Sequence, residues 1–314
     1  MVWIENAWAR EDLSGPAVAT VGNYDGVHVG QRVILARVVT RARELGVPAA
    51  VVTFDPHPLR VLRPGAAPLR ISTPEQKRCL LRELGIDLVA VIRFDDGFAR
   101  TTAARFVCDF LVARLAVREV FVGSRFVFGR EREGDVDLLR VLGEDHGFST
   151  HGVDEVVLDG VAVSSTRVRR AVADGDVRLA ERLLGRPFDI LGTIVRGEDR
   201  GAALGWPTIN LETENELLPA NGVYTTTVRF RRSGDRHAGV TNVGVRPTFG
   251  GSATEPVAES HILDFAGSVY GEPVEIAFHS RLRAEETFSS AAALSRQIGR
   301  DVAEARRFFS AQPH

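Results

Sequence analysis

GTIVRGEDRGAALGWPTIN occupies residues 192–210, just after the point at which the sequence pattern changes from one half of the chain to the other. The stretch contains Gly197, Gly201 and Gly205, with acidic and basic residues near them. Glycine lets a backbone turn tightly and approach a ligand without a Cβ in the way. Successive N–H groups in such a turn form a concave site for phosphate oxygens. The stretch therefore predicts a phosphate-binding turn, and its simpler interpretation is a glycine-rich β-turn.

The end of this stretch carries two side chains with oxygen atoms. Thr208 and Asn210 follow Pro207 and are two residues apart, so on an extended segment they point to the same side. Oxygen ligands beside a phosphate site suit Mg²⁺. The stretch is not a Walker A loop, because no Gly-Lys-Ser or Gly-Lys-Thr occurs and the only lysine of the chain is Lys77.

The C-terminal part of the chain shows apolar residues with a period of two. Gly, Pro and Asn separate five predicted strands, at residues 188–195, 223–230, 237–243, 257–265 and 274–282. Several short strands in a row predict a small antiparallel β-barrel. Apolar residues at helical spacing then predict a final helix over about residues 290–309. We place the domain boundary near residues 185–188, which gives domains of residues 1–186 and 187–314.

The N-terminal part alternates buried apolar runs with helical patterns. The apolar runs are residues 17–23, 49–54, 88–94 and 120–123. The helical patterns are residues 31–45, 74–84 and 102–114. This alternation predicts a Rossmann-like α/β domain with a parallel sheet, whose ligands bind at the carboxyl ends of the strands. The residues at those ends are Asn23-Tyr24-Asp25, Asp55-Pro56-His57-Pro58 and Gly123-Ser124-Arg125.

Length and composition bound the class of protein. The 314 residues suit two domains, and 44% hydrophobic with 25% charged residues is typical of a soluble globular protein. The net charge of −2 gives no electrostatic signature for nucleic acid or an anionic membrane. Charges occur too early for a signal peptide and no apolar run is long enough to span a membrane, so we expect a cytoplasmic protein. Cys79 and Cys108 are expected to be reduced core residues, and the oligomeric state has no signature in the sequence.

Residues 197–210 resemble the signature of riboflavin kinases, in which G-x-x-R-G is followed by L-G-aromatic-P-T-x-N. Three later segments resemble the same family in the same order: LLPANGVYTTTV, GVTNVGVRPTFGG and ESHILDFAGSVYG. The N-terminal half resembles the adenylyltransferase module that is fused to this kinase in bacterial bifunctional FAD synthetases. The resemblance covers nearly the whole chain. It implies a Rossmann-like nucleotidylyltransferase domain followed by a small antiparallel β-barrel with a C-terminal helix.

For the kinase, the resemblance implies phosphorylation of riboflavin to FMN with ATP and Mg²⁺. The residues implied at the ATP phosphates are Gly197, Arg200, Gly201 and Gly205. Thr208 and Asn210 would help to hold the metal, and Glu259 matches the catalytic base that accepts the proton of the ribityl 5′-hydroxyl. A loop near the ligands would contribute Asn242, Arg246 and Phe249.

Without the family, Glu259 has plainer interpretations. Glu259 and His261 alternate along one strand face. Such an alternation suits an ordinary Glu–His pair on a solvated face. It also suits two metal ligands, although no third ligand of matching spacing is evident in the sequence.

For the N-terminal half, residues 21–31 (VGNYDGVHVGQ) lie at a strand-to-helix junction, where a helix N-terminus favours anions. The stretch resembles the nucleotidylyltransferase motif H-x-G-H, whose histidines steady the α-phosphate as pyrophosphate leaves, with no covalent enzyme intermediate. His28 and Gly30 match, whereas Gln31 stands at the second histidine. The hydroxyls and guanidinium of the segment 165–167 suit a triphosphate. The implied site comprises Gly22, Asn23, Asp25, His28, Gln31, Phe54, His57, Arg125, Ser165, Thr166 and Arg167.

Two departures fall on the nucleotide side of this site. Gln31 donates only from a neutral amide, whereas a histidine can meet the departing pyrophosphate as a charged donor. Arg125 stands where the family has Asp or Asn, and its long cation either fills the nucleotide pocket or holds phosphate. We therefore expect a riboflavin kinase whose adenylyl transfer to FMN is absent or much weakened. Three alternatives stay open: a fully bifunctional enzyme that also makes FAD, an N-terminal module that binds flavin or nucleotide without catalysis, and a transferase of changed nucleotide specificity.

Overall fold

The computed structural model describes residues 1–11, 13, 15–197, 201, 205–247, 254–267 and 269–311. The chain forms two compact units. The first comprises Met1–Leu69 and Pro74–Ser164, and the second comprises Arg70–Thr73 and Ser165–His314. These units divide the chain at a different place from the predicted domains of residues 1–186 and 187–314, and that domain boundary stays a prediction.

The first unit contains a six-stranded sheet in which all neighbouring strands are parallel. Its strands are β1 (Val2–Ile4), β2 (Ala17–Val21), β3 (Ala49–Asp55), β4 (Leu88–Arg93), β5 (Val117–Gly123) and β6 (Ser149–Val153). The order across the sheet is β1-β4-β3-β2-β5-β6. A small hairpin of β7 (Val157–Leu158) and β8 (Val161–Ala162) follows. The predicted Rossmann-like parallel sheet is therefore confirmed.

Helices connect these strands. They are α1 (Val29–Leu45), α2 (Pro58–Leu62), α3 (Pro74–Glu83), α4 (Asp96–Ala99), α5 (Ala103–Phe106), a π-helical continuation (Val107–Val112) and α6 (Val136–His146). Both faces of the sheet are covered, which explains why β2 is buried at all five of its positions. On one face Ala19 and Val21 pack with Ala50 and Val52, and on the other face Val18 joins a separate apolar cluster.

Two strands of this sheet have no counterpart among the predicted elements. β1 has only three residues, and none of them is fully buried. β6 reads STHGV and is buried only at its last residue. Strands at the two edges of a sheet need fewer apolar residues than central ones, so their hydrophobic pattern is weak.

The second unit contains a closed antiparallel barrel of six strands. Its elements are α7 (Ser165–Ala173), α8 (Val177–Leu184), β9 (Phe188–Val195), β10 (Ile209–Thr213), β11 (Gly222–Phe230), β12 (Arg236–Pro247), β13 (Thr254–Ile262), β14 (Pro273–Arg283) and α9 (Ala291–Ser310). The strand order is β10-β13-β12-β11-β14-β9, and pairing of β9 with β10 closes the barrel. The predicted barrel and final helix are confirmed. The predicted strand over residues 257–265 ends earlier, at Ile262, and Asp264 beyond it has a φ of 54°, outside the strand region.

The barrel has a polar row inside it and an apolar cluster outside it. The hydroxyl groups of Thr226, Thr241 and Ser260 form a chain of hydrogen bonds of 2.7 and 2.9 Å, and all three residues are buried. Helix α9 packs on β11 and β12 through a cluster that includes Val240 and Val302. Alternate side chains of a strand point to opposite faces. The barrel strands therefore place these hydroxyl groups on one face and the apolar side chains that contact α9 on the other.

Two further expectations concern the surface of the chain. Within the described residues, no helix combines the length and the hydropathy needed to cross a bilayer. Cys79 and Cys108 are free, as expected, but both are partly exposed, so their assignment to the core is wrong. Their apolar-looking surroundings in the sequence reflect helices that lie against the sheet with one side towards solvent.

Candidate functional site

Three polar side chains lie in a row across the barrel. The strand register sets Asn210 of β10 opposite Glu259 of β13, and Glu259 opposite Asn242 of β12. Residues directly opposite each other in antiparallel strands project from the same face, with Cβ atoms about 4.5–5.5 Å apart. Asn210 is only 6% exposed, whereas Glu259 and Asn242 are half-buried. The register therefore brings together two amides and a carboxylate that are up to 49 residues apart in sequence (210 to 259).

Of the predicted phosphate-binding glycines, Gly197 lies against Asn210 of this row and Gly201 lies against the residues just before β10. A Cβ on Gly197 would be 2.0 Å from Nδ2 of Asn210, which is closer than atoms can approach. A Cβ on Gly201 would be 2.4 Å from the carbonyl oxygen of Trp206 and 3.1 Å from Oγ1 of Thr208. Gly205 has a φ of 82°, in the left-handed region. Close backbone approach thus explains the first two glycines, and a positive φ explains the third.

Three other residues that the resemblance assigns to the kinase site lie wholly or partly outside the described part of the chain. Arg200 and Phe249 lie outside the described residues. The backbone of Arg246 belongs to β12, opposite Glu255, and its side chain is outside the described part. Their predicted roles therefore stay predictions.

A second carboxylate near the row has no counterpart among the predicted site residues. A Cβ on Gly244 would be 2.3 Å from Oε1 of Glu285 and 3.4 Å from Nδ2 of Asn242. Glu285 also accepts a hydrogen bond of 3.1 Å from Nδ2 of Asn221. Glu285 follows the last barrel strand and belongs to no local motif, so only the three-dimensional structure links it to Asn242.

The metal alternative for Glu259 and His261 lacks support. Among the described residues, no group of three or more His, Cys, Asp or Glu side chains is arranged to hold a metal ion. Nδ1 of His261 lies 2.8 Å from the carbonyl oxygen of Pro207. That nitrogen therefore donates a hydrogen bond to the main chain, since a carbonyl only accepts.

The candidate site of the first unit begins at the loop between β2 and α1. This loop, residues 22–28, contains Tyr24, Gly26 and Val27 at φ values of 46°, 84° and 45°. A positive φ is costly for a β-branched residue such as Val27, and such backbone strain concentrates at functional sites. Tyr24 is buried, and its hydroxyl lies 2.5 Å from Oγ1 of Thr20. Burial raises the pKa of Tyr24 above its ordinary range, so the phenol stays neutral and anchors the strained loop.

His28 ends this loop and caps helix α1. Its Nδ1 accepts a hydrogen bond of 3.3 Å from the backbone N–H of Gln31, and its own backbone N–H donates to Oε1 of Gln31 at 3.1 Å. These reciprocal bonds form a capping box. Because Nδ1 accepts, the neutral ring carries its proton on Nε2, which is a donor. A Cβ on Gly30 would be 3.3 Å from the His28 ring, so the glycine leaves room for the capping ring.

The ends of β2 and β3 are joined through Asn23. The side-chain amide of Asn23 lies 3.1 Å from Nε2 of His57, which caps α2. The carbonyl oxygen of Asn23 accepts hydrogen bonds from Oγ1 of Thr53 at 3.1 Å and from Nζ of Lys77 at 2.8 Å. Lys77 is absent from the predicted site, although its being the only lysine of the chain is a signal that singles it out. Its ammonium group brings positive charge to the carboxyl edge of the sheet.

The other predicted residues of this site differ in their surroundings. Asp25 is buried at 5% exposure, and Phe54 packs against Phe94 and Phe98 with ring centroids 6.0 and 5.8 Å apart. Gly22 is the first residue of the loop, and a Cβ on it would be 3.1 Å from the ring of Tyr24. Arg125 is 78% exposed and pairs with Glu155 at 2.6 Å, so its cation does not fill a pocket. Ser165, Thr166 and Arg167 form the first turn of α7 in the second unit.

The two arrangements define a class of protein. A parallel α/β sheet carries a capped helix N-terminus at its carboxyl edge, and a β-barrel carries a carboxylate between two amides, one of which lies against Gly197. The first arrangement can bind phosphate groups at a helix N-terminus, and the second can place a carboxylate base beside a bound phosphate, as in enzymes that act on nucleotides.

The comparisons with known families agree with this class. A family model described as FAD synthetase matches residues 11–167, and one described as riboflavin kinase matches residues 184–309. Proteins named bifunctional riboflavin kinase/FMN adenylyltransferase are similar over nearly their whole length. The chain of Pseudomonas fluorescens is 43% identical over 95% of this chain and 94% of its own, and that of Escherichia coli K12 is 39% identical over 93% and 92%. This chain belongs to the bifunctional riboflavin kinase/FMN adenylyltransferase family.

A solved structure shows the same arrangement of secondary structure. A protein of Streptococcus pneumoniae described as a macrolide-efflux protein superposes with a TM-score of 0.86 at 28% identity, covering 97% of this chain and 98% of that one. The relatives' names and the two matching family models favour a fully bifunctional enzyme. They do not support the expectation that adenylyl transfer is absent or much weakened.

Proposed function

We propose that this chain phosphorylates riboflavin to FMN and then transfers AMP from ATP to FMN, which gives FAD. The observation that carries the kinase half is the row of Asn210, Glu259 and Asn242 across three barrel strands. The observation that supports the second half is the His28-capped N-terminus of α1 at the carboxyl edge of the sheet. This proposal replaces the expectation of a riboflavin kinase whose adenylyl transfer is absent or much weakened.

In the kinase reaction, Glu259 acts as the general base. Its carboxylate accepts the proton of the ribityl 5′-hydroxyl while the hydroxyl oxygen attacks the γ-phosphorus of ATP and ADP leaves. Asn210 and Asn242 lie directly opposite Glu259 on the two neighbouring strands, so their amides flank the carboxylate on one barrel face. The backbone of Gly197 and Gly201 lies close enough to this face for its N–H groups to meet phosphate oxygens.

The residues near Gly197 and Gly201 fit Mg²⁺. Thr208 and Asn210 offer neutral oxygen atoms beside the two glycines, and Mg²⁺ in phosphoryl-transfer sites binds a few protein oxygens together with phosphate oxygens and water. Thr208 and Asn210 would therefore hold the ion. When bound, Mg²⁺ supplies positive charge that offsets the charge of the ATP phosphates.

In the adenylyl-transfer reaction, a phosphate oxygen of FMN attacks the α-phosphorus of ATP and pyrophosphate leaves. The first-turn N–H groups of α1 and the Nε2–H of His28 meet the negative charge that develops there. Lys77 adds an ammonium group at the same edge of the sheet. All of these donors are kept with glutamine at position 31, which supports activity despite the missing second histidine.

The two departures therefore have milder consequences than the sequence alone predicts. Gln31 keeps the helix cap intact through its bond to the His28 backbone. Arg125 pairs with Glu155 at the surface and leaves the nucleotide region to other groups.

The test is a product assay with the full-length chain. Purified protein is incubated with riboflavin, ATP and Mg²⁺, and flavins are separated by chromatography over time. We expect FMN first and FAD after it. FMN that never proceeds to FAD would contradict the second half of the proposal, and the absence of both products would contradict the whole of it.

A further inference from the structure

His261 lies next to the kinase row without a role in the proposed reaction. It follows Glu259 by two residues on β13, so both side chains project from the same face of the strand. The pairing of β10 with β13 sets Asn210 opposite Glu259. Continuing this register by two residues places Thr208 opposite His261, just before the first residue of β10.

The imidazole of His261 contacts the main chain just before β10, where the backbone pairing of β10 with β13 ends. Its Nδ1 donates a hydrogen bond of 2.8 Å to the carbonyl oxygen of Pro207. The ring also packs edge-on against Trp206, with 5.4 Å between centroids. A side chain of β13 therefore holds the main chain immediately before Thr208.

The other side of this segment is fixed as well. The backbone N–H of Trp206 donates to the carbonyl oxygen of Gly201 at 2.8 Å, and its indole Nε1 donates to Oγ of Ser295 on α9 at 3.0 Å. The indole also lies against Gly299, where a Cβ would be 3.6 Å from the ring. With Trp206 anchored, the orientation of the next peptide decides where Thr208 points.

That orientation is set by His261. The Pro207 carbonyl and the Thr208 N–H belong to one planar peptide and point in opposite directions. A hydrogen bond that fixes the carbonyl thus fixes the backbone of Thr208. The side chain of Thr208 then stays beside Gly201, where its Oγ1 would be 3.1 Å from a Cβ.

We propose that His261 is a positioning residue of the kinase site: its Nδ1–H orients the Pro207–Thr208 peptide so that the Thr208 hydroxyl faces Mg²⁺ and the ATP phosphates. This inference rests on the proposed riboflavin kinase activity. It gives the second residue of the Glu-x-His pair a function that is neither metal ligation nor proton transfer.

Three substitutions separate positioning from simple packing. The amide nitrogen of asparagine occupies nearly the place of the imidazole Nδ1, whereas that of glutamine reaches the place of Nε2. We expect His261→Asn to keep the Mg²⁺ concentration for half-maximal FMN formation near that of the wild type. His261→Gln and His261→Ala should raise it about five- to tenfold, the size of one lost hydrogen bond. The KM for riboflavin should stay unchanged in all three variants.

His237 provides a matched control on the same barrel. It packs edge-on against Phe230 and Phe265, with centroids 5.5 and 5.2 Å apart. His237→Ala should lower the Tm through lost packing but leave the Mg²⁺ dependence as it is. An equal rise in the Mg²⁺ requirement for His237→Ala and His261→Ala would overturn the positioning role.

A second readout does not depend on activity. In the full-length chain labelled with ¹⁵N-histidine, the ring of His261, assigned by its loss in His261→Asn, should show a protonated Nδ1. An unprotonated Nδ1 would overturn the inference even if His261→Ala fails to fold. A wild type that makes no FMN would contradict the proposed kinase itself. A wild type that makes FMN while His261→Gln and His261→Ala keep its Mg²⁺ requirement would contradict the inference alone.

Discussion

The site in the α/β unit relies chiefly on backbone donors, whereas the site on the barrel relies on side chains. In the α/β unit, the anion-binding groups are chiefly backbone N–H donors at the N-terminus of α1, with His28 as the cap. On the barrel, the groups are side chains that meet only because three strands are in register, as with Asn210, Glu259 and Asn242.

Backbone donors and side-chain groups tolerate substitution differently. No side-chain change removes the first-turn N–H groups of α1, and Gln31 takes part in the cap that orients them. On the barrel, by contrast, Glu259 is the carboxylate of the three-residue row, and neither Gly197 nor Gly201 leaves room for a Cβ. We therefore expect a small effect from changing Gln31, and large effects from changing His28, whose Nε2–H meets the developing charge, or the barrel row.

The largest effect is expected for Glu259→Gln. Loss of the general base should lower the rate of FMN formation by about 10²–10⁴-fold. The rate of FAD formation from supplied FMN should stay near that of the wild type, because that reaction uses the other unit. Both rates are measured by chromatography, with Glu285→Gln as a control carboxylate bound to Asn221. Wild-type FMN formation by Glu259→Gln would remove Glu259 from the role of base.

The next largest effect is expected where the backbone meets Asn210. Gly197→Ala would put a Cβ 2.0 Å from Nδ2 of Asn210, so the amide must move. Asn210→Ala removes the whole side-chain amide, including the oxygen that is proposed to hold Mg²⁺. Both variants should raise the Mg²⁺ requirement of the kinase by about 10–100-fold, as displaced metal-site groups do. Mg²⁺ titration of FMN formation measures this.

Gly234→Ala is the control for this prediction. Gly234 has a φ of 84° with no neighbouring atom within 4 Å of a Cβ, so its substitution strains the backbone without crowding. Its Mg²⁺ requirement should match that of the wild type. If Gly197→Ala also matched, the close approach of Gly197 would have no bearing on the metal.

A smaller effect is expected for Gln31→His in the α/β unit. A charged donor in place of a neutral amide is worth on the order of 1 kcal/mol, so FAD formation from FMN should rise by at most about tenfold. Arg125→Asn should change this rate little, because Arg125 is exposed and paired with Glu155. An inactive wild type whose activity appears only in Gln31→His would reverse the comparison between the two sites.

The smallest effect concerns pH and the helix that covers the barrel. His279 bonds to Thr227 at 2.8 Å and packs against Phe308 and Phe309 of α9. Burial lowers the pKa of His279 below its ordinary value of 6.5. The unfolded chain therefore binds the proton more readily, so stability is full above about pH 6.5 and falls as the pH drops below it.

Denaturant unfolding between pH 7.5 and 5.5 measures this dependence. His279→Leu cannot titrate, so its stability should fall less over the same range than that of the wild type. Identical slopes for the two proteins would show that His279 does not contribute.

Much of this fold follows from the sequence, and most of the site's geometry does not. Apolar runs and period-two alternation predict the central strands and the barrel because buried faces repeat regularly. β10 is harder to predict, since its five residues follow directly on a stretch of sequence that contains glycine and proline. Local patterns do not encode strand register or barrel closure. These place Glu285 near Asn242 and Asn210 opposite Glu259.

Under the proposed function, one chain holds two separate sites for two successive reactions. The most direct measurement mixes two full-length variants, Glu259→Gln and His28→Ala, and follows FAD formation from riboflavin, ATP and Mg²⁺. Each variant alone should make little FAD, the first for lack of FMN and the second for lack of adenylyl transfer. The mixture should make FAD, because FMN released by one variant is used by the other. A mixture that makes no more FAD than either variant alone would contradict the account.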